Sequence, residues 1–129
     1  MRIWQGICAA CVLAVGLGPL LAQDAARVSP QTHKLLLDNE HARVFDVHVK
    51  PGERVGMHTH PAGVVYFMSD AKLRITYPDG RQEERAVHAG TAAWIDGVTH
   101  AVQNVGSTEF HEIHVELKER PAAPQKPSG

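Results

Sequence analysis

Beyond residue 30 the apolar positions of this chain recur every second residue. Residues 43–49 set Phe45, Val47 and Val49 against Arg43, Asp46 and His48, and residues 73–77 set Leu73, Ile75 and Tyr77 against Arg74 and Thr76. Successive side chains of a strand point to opposite faces, so each segment predicts one buried and one wetted face. Residues 64–68 (Val-Val-Tyr-Phe-Met) are apolar throughout, which predicts a strand buried on both faces with Tyr66 in the core. Further strands are expected at 33–37, 83–87, 91–95, 101–105 and 110–117, with Trp94 as a packing residue. In the last of these, Ile113, Val115 and Leu117 mark the core face and carry His111 with them, leaving His114 outside. Asp38-Asn39-Glu40, Pro51-Gly52, Pro78-Asp79-Gly80 and Gly106-Ser107 supply the turns. Many short strands at even spacing, with no helical periodicity and no internal repeat, predict an all-β fold: one antiparallel double-sheet barrel or sandwich.

The two ends have a different texture. Met1-Arg2 precedes an apolar run over residues 3–21 that closes on Leu20-Leu21-Ala22, the layout of a secretory signal peptide cut after Ala22 or, alternatively, after Ala25. A retained anchor competes with that reading, because the run approaches the length of a membrane span. Cleavage predicts a periplasmic or secreted protein without stable membrane insertion. Residues 23–31 read as a loose polar lead-in, 32–117 as the single folded domain, and 118–129, with Pro121, Pro124 and Pro127, as a disordered tail. Both cysteines, Cys8 and Cys11, fall in the leader, so the mature domain has no disulfide and no thiolate chemistry. A net charge of −1 and the lack of any basic run argue against nucleic-acid binding, which needs concentrated Lys and Arg to displace counterions.

The chain carries nine histidines, and their placement matters more than their number. His58-Thr59-His60 puts two imidazoles on one face of a strand, where both can turn toward one ion at about 2 Å. Pro61 biases His60 toward an extended backbone. His100 is the third candidate ligand. His33, His41, His48 and His88 sit in turns or alternate with core positions and are expected in solvent, while His111 is a candidate to line a cavity or replace a ligand. No Ser-His-Asp order, phosphate-binding glycine loop or catalytic carboxylate pair is present, so no catalytic residue is named.

Residues 52–68 resemble the first motif of the cupin superfamily: Gly52, five residues, then His58-x-His60 leading into an apolar strand. Residues 90–104 resemble the second, through Gly90, Gly97, His100 and Asn104. The resemblance covers about residues 35–117. It implies a compact barrel of two antiparallel sheets, with His58, His60 and His100 matching the ligands of a divalent metal and a homodimer formed through edge strands. Two departures are plain. The first motif normally carries a glutamate three or four residues past its second histidine, where this chain has Gly63, Val64 and Val65, and Ile95 replaces the second-motif proline. The metal set is therefore expected to be three histidines without the acid.

Three imidazoles suit a divalent transition metal and do not choose among Fe, Zn, Mn, Ni and Cu. A three-histidine centre resembles that of cupin dioxygenases acting on thiols and diketones, so an oxidoreductase acting on an unknown small molecule is the leading expectation. The alternative is a non-catalytic periplasmic barrel that binds a small ligand, or serves as an accessory protein, without metal. A purely structural closed zinc site would need a fourth protein ligand.

Overall fold

A computed structural model describes residues 24–119. The expected signal peptide (1–22) and most of the expected tail (118–129) lie outside the described residues. A single helical turn, α1 (Ala25–Val28), leads into β1 (His33–Asp38), β2 (Ala42–Val49), β3 (Arg54–Phe67), β4 (Ala71–Thr76), β5 (Gln82–Val87), β6 (Ala92–Asn104) and β7 (Phe110–Leu117). The strands pair antiparallel in the order β1-β2-β7-β3-β6-β4-β5.

The architecture turns on β3 and β6, which pair with each other along most of their length. Residues 63–67 of β3 also pair with β7, whereas residues 101–104 of β6 pair with β4. The two long strands thus belong to both layers, and the sheet curls until every strand, from His33 on β1 to Phe110 on β7, contributes a side chain to one interior pocket. This is the antiparallel double-sheet barrel that the cupin resemblance implies, and one of the two arrangements, barrel or sandwich, that the period-two pattern allows. Phe45, Val47, Val49, Val55, Leu73 and Phe110 belong to its core, each such side chain contributing about 1.5–3 kcal/mol by leaving water.

Two pairs of expected segments turn out to be single strands. Residues 58–60 and 64–68 both fall on β3 except for Met68, and residues 91–95 and 101–105 fall largely on β6. The chain does not stop between them; it changes phase. Inward side chains of β3 run His58, His60 and then Val65, Phe67, and those of β6 run Ile95 and then Val98, His100, Val102. Both strands therefore skip one residue at the same level, near Pro61 and Gly97. Gly97 has φ 83°, a backbone conformation that only glycine adopts without penalty.

The outer face departs from expectation. Val64, Tyr66 and Trp94 are 37%, 44% and 55% exposed, so the run at 64–68 is not buried on both faces, Tyr66 is not core and Trp94 is not a packing residue. Burial on both faces needs a second layer, and among the described residues nothing covers this side of the sheet. The lead-in is not loose either. Asp24 caps α1 by accepting from the Ala26 N–H, its carboxylate binds the Arg43 guanidinium, and Ala25 is buried. Asn104 is fully buried and donates from Nδ2 to the carbonyls of Val49 (2.9 Å) and Thr108 (2.7 Å), while Oδ1 accepts from the Gly106 N–H. It ties the end of β6 to its following turn.

Candidate metal centre

The phase of β3 up to Pro61 sends His58 and His60 inward, and the β3–β6 register sets His100 directly opposite His58. The three rings form a compact triangle: centroids are 4.7 Å apart for His58–His60, 4.8 Å for His58–His100 and 5.6 Å for His60–His100. Two further imidazoles enter. His33, the first residue of β1, lies 5.5 Å from His58 and 5.9 Å from His60, and it, His58 and His60 each place a ring nitrogen within 4.8 Å of the others. His114, on β7, stacks on His60 at 4.1 Å. These five imidazoles line a pocket of about 80 Å³ whose remaining walls are largely apolar, with Val65, Phe67, Leu73 and Val98 among them, and with Arg85 contributing the one guanidinium among the described residues.

Four of the five rings are held by the Nδ1 edge. His58 Nδ1 donates to the Gly56 carbonyl (2.7 Å), His60 Nδ1 to Glu116 Oε1 (2.8 Å) and His114 Nδ1 to Glu112 Oε1 (3.2 Å); His33 Nδ1 lies 2.8 Å from the Thr32 hydroxyl. This arrangement leaves the Nε2 lone pairs free, and carboxylates behind ligating histidines fix ring and tautomer in just this way. Glu116 is itself braced by Arg43, 3.4 Å away, which in turn binds Asp24, so a chain of charged groups runs from α1 to His60. Burial holds the Glu116 carboxyl above its ordinary range.

The electrostatics favour neutral rings. Burial, and then the neighbouring imidazoles, push His33 down to about 4; the same causes push His100 down to about 3 and His60 further still. Burial also lowers His58. At neutral pH these rings are uncharged, the form a metal requires. His114 Nε2 is buried and has no hydrogen-bond partner among the described residues. Such an orphan costs about 1–3 kcal/mol and is satisfied by an ion or by a proton donor brought in beside one. The donor set fits a borderline transition metal.

The structure thus brings together His58, His60 and His100 and corrects the reading of two others. His33 is buried, not solvated, because its strand partner is the core residue Val47 and the pair shares the inner face. His111 does not share the core face: on β7 it is Phe110, Glu112, His114 and Glu116 that point inward, and Ile113 and Val115 that point out. Glu112, His114 and Glu116 escape a hydrophobicity-based reading because the pocket is polar at this wall. The available signal was Phe110, which is in phase with all three. His41 and His88 are exposed as expected, and His48 is half-exposed.

Fold and pocket define a small antiparallel barrel with an interior wall of histidines. No protein-family model and no curated protein matches the chain, but solved structures do. A cupin domain from Bordetella pertussis Tohama I is 29% identical, covering 67% of this chain and 92% of that one, with a TM-score of 0.62. The polyketide cyclase RemF of Streptomyces resistomycificus is 25% identical over 69% of this chain and 66% of its own, at 0.51. An RmlC-like cupin with a double-stranded β-helix fold from Methanocaldococcus jannaschii is 18% identical over 66% and 77%, at 0.55, and shows the fold alone. The chain is a small cupin-superfamily protein.

Proposed function

We propose that this protein is an exported, metal-dependent cupin enzyme acting on a small, mainly apolar molecule. The observation that carries the reading is the wall of five imidazoles, four of them lowered in pKa by burial, with Nδ1 of His33, His58, His60 and His114 engaged by a neighbour. His58, His60 and His100 hold the ion. His33 supplies the fourth nitrogen in place of the motif acid, as its grouping with His58 and His60 suggests. A bound ion of this class acts as a Lewis acid and, with a redox-active metal, as a site for oxygen chemistry. The apolar walls exclude water and orient the substrate, and Arg85 at the pocket favours an anionic or strongly polar end.

The chain's own proton acceptor is His114. Its Nδ1 is engaged by Glu112 and its Nε2 is unpartnered, the form of a general base held by a carboxylate. That pair supports a second reading, proton abstraction from an enolisable carbonyl compound without oxygen, and the likeness to a polyketide cyclase points the same way. The oxidoreductase and proton-transfer readings share the metal and differ in oxygen consumption.

One experiment orders these readings. Protein purified without a histidine tag is assayed for metal, beside a His58→Ala/His60→Ala variant, and then for oxygen uptake and for deuterium exchange into a panel of thiols and diketones. About one equivalent of metal, lost in the variant, with oxygen uptake supports the oxidoreductase; metal with exchange alone supports proton transfer. No metal in either protein after loading leaves a non-catalytic ligand-binding barrel.

Export rests on the leader, and the Asp24–Arg43–Glu116 chain favours cleavage after Ala22, which keeps Asp24, over cleavage after Ala25, which removes it. N-terminal sequencing of protein from the periplasm or medium decides between the two.

A further inference from the structure

A second cluster of ligand-type side chains lies on the opposite side of the sheet. On β2, Asp46 and His48 share the outer face at i and i+2, and the β2–β7 register puts His111 directly across from His48. The two imidazoles stack at 4.0 Å with 20° between their planes. Both point Nε2 at one oxygen: His48 Nε2 lies 3.1 Å and His111 Nε2 2.8 Å from Asp46 Oδ1. Glu109, just before β7, takes the other side of His48, with Oε1 2.7 Å from Nδ1. The group is partly open to solvent, with side-chain exposures of 25% for Asp46, 28% for His111 and 42% for His48.

We propose that Asp46, His48 and His111 form a second transition-metal site on the outer wall of the barrel, with Glu109 as the carboxylate that orients His48. Two imidazole nitrogens and a carboxylate oxygen bound tetrahedrally at about 2 Å stand about 3.3 Å apart. The donors here are already spaced for that: the two nitrogens are 3.1 and 2.8 Å from the oxygen. The rings are paired across rigid neighbouring strands, so little reorganisation is needed, and Asp46 and Glu109 supply the negative charge that a dication needs.

Both nitrogens of His48 lie within hydrogen-bonding distance of carboxylates, Nε2 of Asp46 and Nδ1 of Glu109. A metal replaces the proton on Nε2, while Nδ1–H stays on Glu109. The ion takes the position that protons now hold between the rings and Asp46, and its remaining positions face solvent. Zinc or copper(II), both well served by imidazole and carboxylate, is the chemical class. The site stands apart from the interior pocket, and it does not depend on the function proposed for that pocket.

The test compares zinc binding by chelator-stripped protein at pH 7.5, by equilibrium dialysis, in wild type and a His48→Gln/His111→Gln variant. Circular dichroism checks that the variant is folded. The variant is expected to bind one equivalent fewer, whatever the pocket binds, because the count is a difference. Glu109→Gln is expected to retain the equivalent with affinity reduced about 10-fold, as for other groups behind a ligand. A readout that needs no variant is the broadening of the His48 and His111 imidazole NMR signals by substoichiometric copper(II). The same zinc stoichiometry and affinity in both proteins, or copper(II) that leaves those two signals sharp, overturns the proposal.

Discussion

His114 on β7 is the direct cross-strand partner of Val65 on β3, and both side chains face the pocket. Gly63, Val64 and Val65 stand where the first cupin motif carries its acid, and opposite Val65 this wall of the barrel offers an imidazole from the neighbouring strand. In the proposed function His114, stacked on His60 and engaged by Glu112, is the proton acceptor, and His33 is a metal ligand. His33→Ala is expected to weaken metal binding by at least about 10-fold, whereas His114→Ala keeps the metal and loses about 10²–10⁴ in turnover, the usual span of a general base. Metal analysis with the visible spectrum of the cobalt(II)-loaded protein separates the two; loss of metal in His114→Ala with full retention in His33→Ala would reverse the assignment.

Glu116 tests the support behind His60. Glu116→Gln keeps the shape but removes the charge that faces His60 Nδ1 and Arg43. The expected result is a 10–100-fold loss in metal affinity, with the fold retained. Competition against a chromophoric chelator measures it, and unchanged affinity would show that the carboxylate serves Arg43 alone.

Gly63 lies against the backbone of β7. A Cβ at this position would stand 1.9 Å from the Val115 carbonyl oxygen and 3.0 Å from its carbon, both backbone atoms that cannot rotate away. Gly63→Ala must push the strands apart beside His60 and Glu116. A loss on the order of 3 kcal/mol is expected in urea unfolding, at the upper end of overpacking costs; a loss under about 1 kcal/mol would mean that the ladder yields freely.

Acid should unfold the metal-free protein through its buried rings. The fold holds His33 and His100 neutral, at about 4 and about 3 against an ordinary 6.5. As pH falls below about 6.5 the unfolded chain takes up protons that the folded chain refuses. Stability is therefore full above that pH and drains away as pH falls toward 4, by roughly 3 kcal/mol for His33 alone. Thermal melts between pH 7.5 and 4 should show this decline, and His33→Phe should reduce it; a melting temperature independent of pH over that window would refute the buried neutral state.

Much of the fold was legible because a strand writes its burial into alternate residues. Phe45, Val47 and Val49 on β2 and Leu73 and Ile75 on β4 are all buried as their spacing predicts. The His58-x-His60 pair was legible for the same reason, and His100 through its motif. The pattern misled where its premise failed. On β7 Ile113 and Val115 face outward while Glu112, His114 and Glu116 face inward with Phe110, since a polar pocket rewards donors and acceptors that have partners.

Local spacing determined that this chain is antiparallel all-β, a barrel or a sandwich, and that two of its histidines share a face, because both follow from the two-residue repeat of a single strand. Tertiary structure alone decided which other side chains join them. His33 and His114 reach the pocket, and Glu116 reaches His60 behind it, through pairing between strands distant in sequence, and the phase change near Pro61 and Gly97 resets which residues point inward. Register between strands is a property of the assembled sheet, and a one-residue slip exchanges its two faces.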